Sequence, residues 1–227
     1  MRNAHSNLAL AAFLGFLFTA ALAAVVEVAP GGGACQLQGV ANISPPLGNA
    51  AASFAYSFTG SLTGCQSNVA AAPTSGTVSA GIQLPESVTL TNIATGATTT
   101  GTVLYQEPIA QGSGSCGSST TAGTALATWS DGRNTVVAYD TTGAGAAVEL
   151  QGTIAASVTL ALVPSSVPAG YTAPSTYVIT SDEPAFPVGE QSLAALTFSP
   201  TTTDQNCVTV GVSSANIDGV VGIGSAQ

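Results

Sequence analysis

The groups that could do chemistry in this chain are almost all acids. It carries 11 Asp and Glu against two Lys or Arg and a single histidine. The histidine, His5, and one of the two cations, Arg2, lie in the opening stretch "MRNAHSNLALAAFLGFLFTAALAAVVEV". That stretch reads as a secretory signal peptide over residues 1–23. It has a weakly basic start, an uncharged apolar run from Leu8 to Val26, and a small-x-small cleavage signal at Ala21-Leu22-Ala23. The alternative is a retained N-terminal membrane anchor, because about 18 apolar residues can span a bilayer. Cleavage after Ala23 leaves a chain with no histidine and no lysine, in which Arg133 is the one remaining cation.

That loss excludes whole classes of mechanism. A Ser-His-Asp or Cys-His site needs an imidazole base. The usual His-bearing zinc sites need imidazole ligands. Nucleic acid binding needs several cations to replace the counterions around phosphate, and one arginine cannot do so. An anionic membrane surface is a poor partner for the same reason. No residue set calls for a metal or any other cofactor. Calcium would need clustered oxygen ligands, and Asp131, Asp204 and Asp218 read as turn residues.

Carboxylates remain as the acid–base groups. A glycoside hydrolase needs two of them flanking one bond, about 5–10 Å apart. The candidates are Glu86, Glu107, Glu149, Asp182, Glu183 and Glu190, and nothing in their spacing pairs them. One stretch, Val163 to Gln191, is irregular and proline-rich, and it holds Tyr171, Tyr177, Asp182 and Glu183. Long loops on rigid scaffolds often carry binding residues, so these four form a candidate ligand loop. The same stretch also fits a connector between two sheets.

Four cysteines, Cys35, Cys65, Cys116 and Cys207, are an even number, which in a secreted chain reads as disulfides. Four allow three pairings. Cys35–Cys65 is the natural local pair, because "CQLQGVANI" and "FAYSFTGSLTGC" would run antiparallel about the Pro45-Pro46 corner and bring their outer ends together. Cys116–Cys207 is then left. Cys35 shares parity with Leu37 and Ile43, whereas Cys65 lies opposite the parity of Phe54 to Leu62. A bulge at Gly60 or Gly64 would reconcile them.

The elements that must position these groups are strands. Strict alternation recurs: Phe54, Tyr56, Phe58 and Leu62; Val78, Ala80, Ile82 and Leu84; Val103 and Tyr105; Thr135, Val137 and Tyr139; Val158, Leu160 and Leu162; Val208, Val210 and Val212. Period two marks half-buried antiparallel strands. Gly189–Phe198 is the best helical candidate, and it is as easily a strand. Asp131-Gly132 between two alternating runs marks a hairpin, with Arg133 as a turn residue near Asp131 or Asp140. Glycine recurs ahead of an apolar residue inside strand patterns at Gly39, Gly76, Gly101, Gly123 and Gly152, which suggests bulges or bends in curved sheets. The expected fold is an all-β domain over residues 35–227, after a Gly/Pro-rich lead at 24–34. It is an antiparallel β-sandwich or flattened β-barrel of about ten to twelve short strands, stapled by disulfides.

"CQLQGVANISPPLG", the return "FTGSLTGC" and "TWSDGRNTVVAY" together resemble a group of small secreted bacterial β-proteins, actinobacterial in character. The resemblance implies secretion and an all-β fold, and nothing catalytic. The sequence therefore points to a non-enzymatic secreted or cell-surface β-domain with a structural or interaction role. Its partner would be a cell-envelope component or a glycan. The alternatives are a module that binds a carbohydrate or small apolar ligand and, last, a carboxylate-dependent hydrolase.

Overall fold

The computed structural model describes residues 31–224. The signal segment lies outside the described residues. Fourteen strands and one short 3-10 turn, Pro164–Ser166, make up the regular structure. Eight strands close an antiparallel barrel: β1 (Gly33–Leu47), β2 (Ala52–Ser67), β3 (Gly76–Ala80), β7 (Ser118–Trp129), β8 (Asn134–Ala144), β9 (Ala147–Ala155), β13 (Gln191–Pro200) and β14 (Val212–Ile223). The order around the wall is β1-β14-β13-β9-β8-β7-β3-β2, and β2 pairs back onto β1. A ninth strand, β6 (Ala110–Ser115), shares a lane with β3. Both lie between β2 and β7, with β3 on one stretch and β6 on the other. The segment Gly189–Phe198 is strand, as β13 shows.

The chain leaves the barrel twice. Between β3 and β6 it forms β4 (Gln83–Asn92) and β5 (Thr98–Gln106). Between β9 and β13 it forms β10 (Ser157–Leu162), β11 (Tyr171–Thr172) and β12 (Thr176–Thr180). The two excursions meet in a second sheet of order β11-β4-β5-β10-β12. Its apolar face packs on the outside of the barrel. Val88, Leu90, Val103, Tyr105, Val158 and Leu160 bury themselves against Leu126 of β7 and Val136 of β8. Strands β7 and β8 are thus covered on both faces, which explains why "TVVAY" and "TALATW" read as nearly continuous apolar runs.

The alternating run Val78 to Leu84 is accordingly not one strand. Gly81 takes φ +68°, where a Cβ would meet the Tyr56 carbonyl at 2.9 Å, and there the chain turns out of the barrel into β4. A second departure is at Val208, Val210 and Val212. Only Val212 is in a strand; Val208 and Val210 are exposed in a turn closed by the Asn206 side chain, which accepts the N–H groups of Val208 and Thr209. Gly33 and Ala34, expected in the lead, belong to β1.

Both expected disulfides form, Cys35–Cys65 and Cys116–Cys207. The first closes the β1–β2 hairpin. Its parity conflict is resolved at Gly64, which takes φ +58° where the β1–β2 register shifts. Gly60 stays in register opposite Gly39. The second disulfide ties the β6–β7 turn to the loop between β13 and β14.

The five repeated glycines are not bulges; each sits in an unbroken ladder. They make room instead. A Cβ on Gly39 would meet the Phe58 ring at 2.4 Å, on Gly76 the Trp129 ring at 3.0 Å, and on Gly123 the Tyr139 hydroxyl at 2.8 Å. Gly101 and Gly152 seat Leu90 and Val137 in the same way. Large side chains can therefore lie flat against the wall.

Candidate functional site

Alternation turns one face of every barrel strand inward. Leu37, Ala41 and Ile43 of β1 point into the lumen, as do Phe54, Tyr56, Phe58 and Leu62 of β2. From the far wall come Val137, Tyr139 and Thr141 of β8, Val148 and Leu150 of β9, Leu196 and Phe198 of β13, and Ile217 and Val221 of β14. An eight-stranded barrel has an interior that side chains can just fill or that can hold one small ligand. This one is not filled. The rings of Phe54 and Phe58 lie over Gly112 and over Gly39 and Gly60, flat on the wall. They leave a cavity of about 170 Å³ whose lining is overwhelmingly apolar.

One part of that lining is polar. The hydroxyls of Tyr56 and Tyr139 meet at 2.5 Å, Tyr56 and Thr121 at 3.1 Å, and Thr121 and Thr141 at 2.7 Å. The four form a chain across β2, β7 and β8. Burial pushes both phenols above the ordinary tyrosine range, and for Tyr139 the neighbouring Tyr56 adds to the shift. These groups stay protonated. They are hydrogen-bonding groups rather than nucleophiles.

The end of the barrel that carries Cys35–Cys65 is plugged. The loop after β12 inserts Ala185 and Phe186, and the Phe186 ring lies 4.8 Å from Trp129. Trp129 in turn donates its indole N–H to Thr135. Asp182 and Glu183 anchor this plug. The Asp182 carboxylate accepts the Asn134 N–H at 2.7 Å, and Glu183 accepts the Ala185 N–H at 2.9 Å. The second Glu183 oxygen is buried and has no hydrogen-bond partner. It faces the half-exposed Arg133 guanidinium at 3.8 Å, and Arg133 also lies 3.7 Å from Asp131. Burial raises the Glu183 carboxyl, and the charge of Asp131 adds to it, against the Ala185 N–H and Arg133. Arg133 is thus paired with Asp131 and Glu183.

The remaining sequence candidates are scattered. Tyr177 packs on Tyr105 in the second-sheet core, with Glu86 beside it, and the Glu86 charge is the largest cause raising the Tyr177 phenol. Tyr171 lies on the short β11. Glu107 is buried where the first excursion returns to the barrel. Its carboxylate accepts the Ser79 hydroxyl at 2.7 Å and the Ile82 N–H at 3.0 Å, and burial raises it. Glu149 takes the Gln151 amide on the surface. Glu190 closes the plug loop by accepting the Ile154 N–H through its backbone. The structure brings Asp182 and Glu183 to the β7–β8 turn and Tyr177 to Glu86. It does not gather Tyr171, Tyr177, Asp182 and Glu183 into one site. No cluster of three or more His, Cys, Asp or Glu among the described residues could hold a metal.

A second hollow, of about 590 Å³, lies outside the barrel. It runs between the outward face of β2 and β3 and the strands β4 and β12. In the sequence, alternation marks Tyr56 and Tyr139 only as strand residues, and nothing singles out Thr121. The signal available was aromatic and glycine positions on one parity, Phe54, Tyr56, Phe58 and Gly60, which marks rings with space beneath them.

No family model, no curated protein and no solved structure matches the chain. What fold and site define is a class: a closed eight-stranded antiparallel barrel with a flanking sheet and an apolar lumen. Its two disulfides are compatible with an extracellular location, and no helix among the described residues is long and apolar enough to cross a membrane.

Proposed function

We propose that the protein is a non-enzymatic secreted or cell-surface β-domain that holds a small apolar molecule in its barrel lumen. The observation that carries this reading is the 170 Å³ apolar cavity lined from all eight barrel strands. An engineered cavity of about 150 Å³ stays dry and takes benzene, so this volume suits one ring or a short branched chain. The hydroxyl chain of Tyr139, Tyr56, Thr121 and Thr141 adds a place for one polar substituent. The non-enzymatic part is supported by the lumen lining, which among the described residues holds no free base, since the phenols are held protonated; Glu107 is bound to Ser79 and Ile82.

The test is a panel of small probes, benzene, indole, phenol and short branched alcohols, followed by NMR shifts of the lumen methyl groups and by melting temperature. Binding should shift Val137, Leu150 and Ile217 and raise the melting temperature. Ala125→Leu extends a side chain into the cavity and should abolish binding while keeping the fold. A panel with no binder, together with a more stable Ala125→Leu protein, would show the lumen to be an underfilled core and defeat the reading.

A further inference from the structure

Closing the barrel leaves it without a free edge, and β6 is paired on both sides. The second sheet is different. It is open, and its outer strands β4 and β12 have uncovered edges; β11 covers β4 only at Thr91 and Asn92.

Register shows which backbone groups are free. Leu162 N–H donates to the Ser175 carbonyl, and Ser181 N–H to the Ala156 carbonyl. The pairs Leu160↔Tyr177 and Val158↔Ile179 between them are therefore the hydrogen-bonded ones. The N–H and C=O groups of Thr176, Val178 and Thr180 then point away from β10. They make no hydrogen bond among the described residues. The same reasoning for β4, from Glu107 N–H to the Ile82 carbonyl and Asn92 N–H to the Ala97 carbonyl, leaves Gln83, Pro85, Ser87 and Thr89 on its free edge. Pro85 has no N–H, so that edge is interrupted by a residue that blocks strand addition. The edge of β12, "TYVIT", carries no proline and no charge.

This unguarded edge borders the 590 Å³ groove, with the hydroxyls of Thr59 and Thr77 on the opposite wall and Glu86 at its side. Val178 stands half exposed at the rim. We infer that the free edge of β12 is a docking site for an extended peptide segment, which adds to the second sheet as a further strand. The occupant is a peptide with a short uncharged β-branched run flanked by basic residues. The groove is lined by Glu86 and by no Lys or Arg. The whole chain also holds 11 acids against two cations, so a second copy would be repelled where a basic peptide is attracted.

The probe is a seven-residue peptide that alternates valine and threonine between terminal lysines, with binding read by fluorescence polarisation on the intact protein. Binding should slow amide exchange at Val178 and Thr180. Methylating alternate backbone amides of the probe should weaken binding by about tenfold or more in one register and leave the other unchanged, because only one register faces β12. Val178→Pro removes an outward N–H that β10 does not use; it should retain the near-UV spectrum and lose the peptide. Failure to bind, or equal effects of both methylation registers, would overturn the proposal. So would equal binding of a probe ending in glutamates, or a protein dimer that Val178→Pro dissolves. None of these outcomes bears on the lumen, whose probes report through different residues.

Discussion

The barrel and the flanking sheet bury apolar surface in opposite ways. The barrel has no edges and an interior with space in it; the sheet has edges and a filled core against β7 and β8, with the groove opening beside it at β4 and β12. In the sheet, Leu160 and Tyr105 have no exposed surface, and Tyr105 also donates its hydroxyl to the Pro174 carbonyl. In the barrel, Phe58, Val137 and Leu150 face inward and remain only partly buried around the cavity. The difference follows from closure. Strand number and tilt set the width of a closed barrel, so its side chains must fill a volume they do not control. An open sheet can approach its partner wall until contact is made.

The sharpest way to break that contrast is to delete volume where none is spare. Leu160→Ala should cost about 2–5 kcal/mol in a denaturant titration, because its close-packed surroundings can relax only in part. A loss below about 1 kcal/mol would mean that the second sheet is as loosely filled as the lumen. A smaller effect is expected from adding volume at glycines. Gly39→Ala meets both the Phe58 ring and the Thr59 carbonyl, at 2.4 and 2.5 Å, and should cost about 1–3 kcal/mol. Gly101→Ala in the second sheet meets only the Leu90 side chain, but Leu90 is buried in the filled core of that sheet, so this substitution too should cost about 1–3 kcal/mol. A cost below about 0.5 kcal/mol at Gly39 would show that this glycine is not a seat for the Phe58 ring.

The least effect, and the one that links the two regions, is on pH dependence. Glu107 and Glu183 are the buried acids at the necks where the two excursions rejoin the barrel. Both have carboxyls raised above the ordinary 4.5, mainly by burial. A raised folded-state value means that the native protein holds the proton more tightly than the unfolded chain. Stability therefore falls as pH rises from about 4.5 through the folded values. Melting temperature should accordingly increase as the pH is lowered from 7 toward 5. Glu107→Gln and Glu183→Gln should each flatten that slope. A profile that declines toward acid over this range would contradict the assignment.

Local signals carried much of this. Alternation specified strands, Asp131-Gly132 specified the β7–β8 hairpin, and the parity conflict between Cys35 and Cys65 pointed to the bulge at Gly64, because a register slip leaves a mark on side-chain parity. The candidate site was less legible. Tyr56 and Tyr139 stand 83 residues apart, and no local pattern tells an inward phenol with a partner from one packed in a filled core. The run Val78 to Leu84 kept its alternation across Gly81 although the chain changes sheet there, because both sheets demand the same period.

By itself the sequence determined an all-β chain, an even set of cysteines with one natural hairpin pair, and an acid-rich chemistry with almost no base. Those are properties of residue type and short spacing. Only the tertiary structure decided that the sheet closes into a barrel, that the glycines seat rings instead of bending strands, that Asp182 and Glu183 anchor a plug, and that β12 keeps an open edge. Each of these depends on which strand lies beside which. Strand neighbours are chosen by the summed packing of distant residues, and no single stretch of the chain contains that sum.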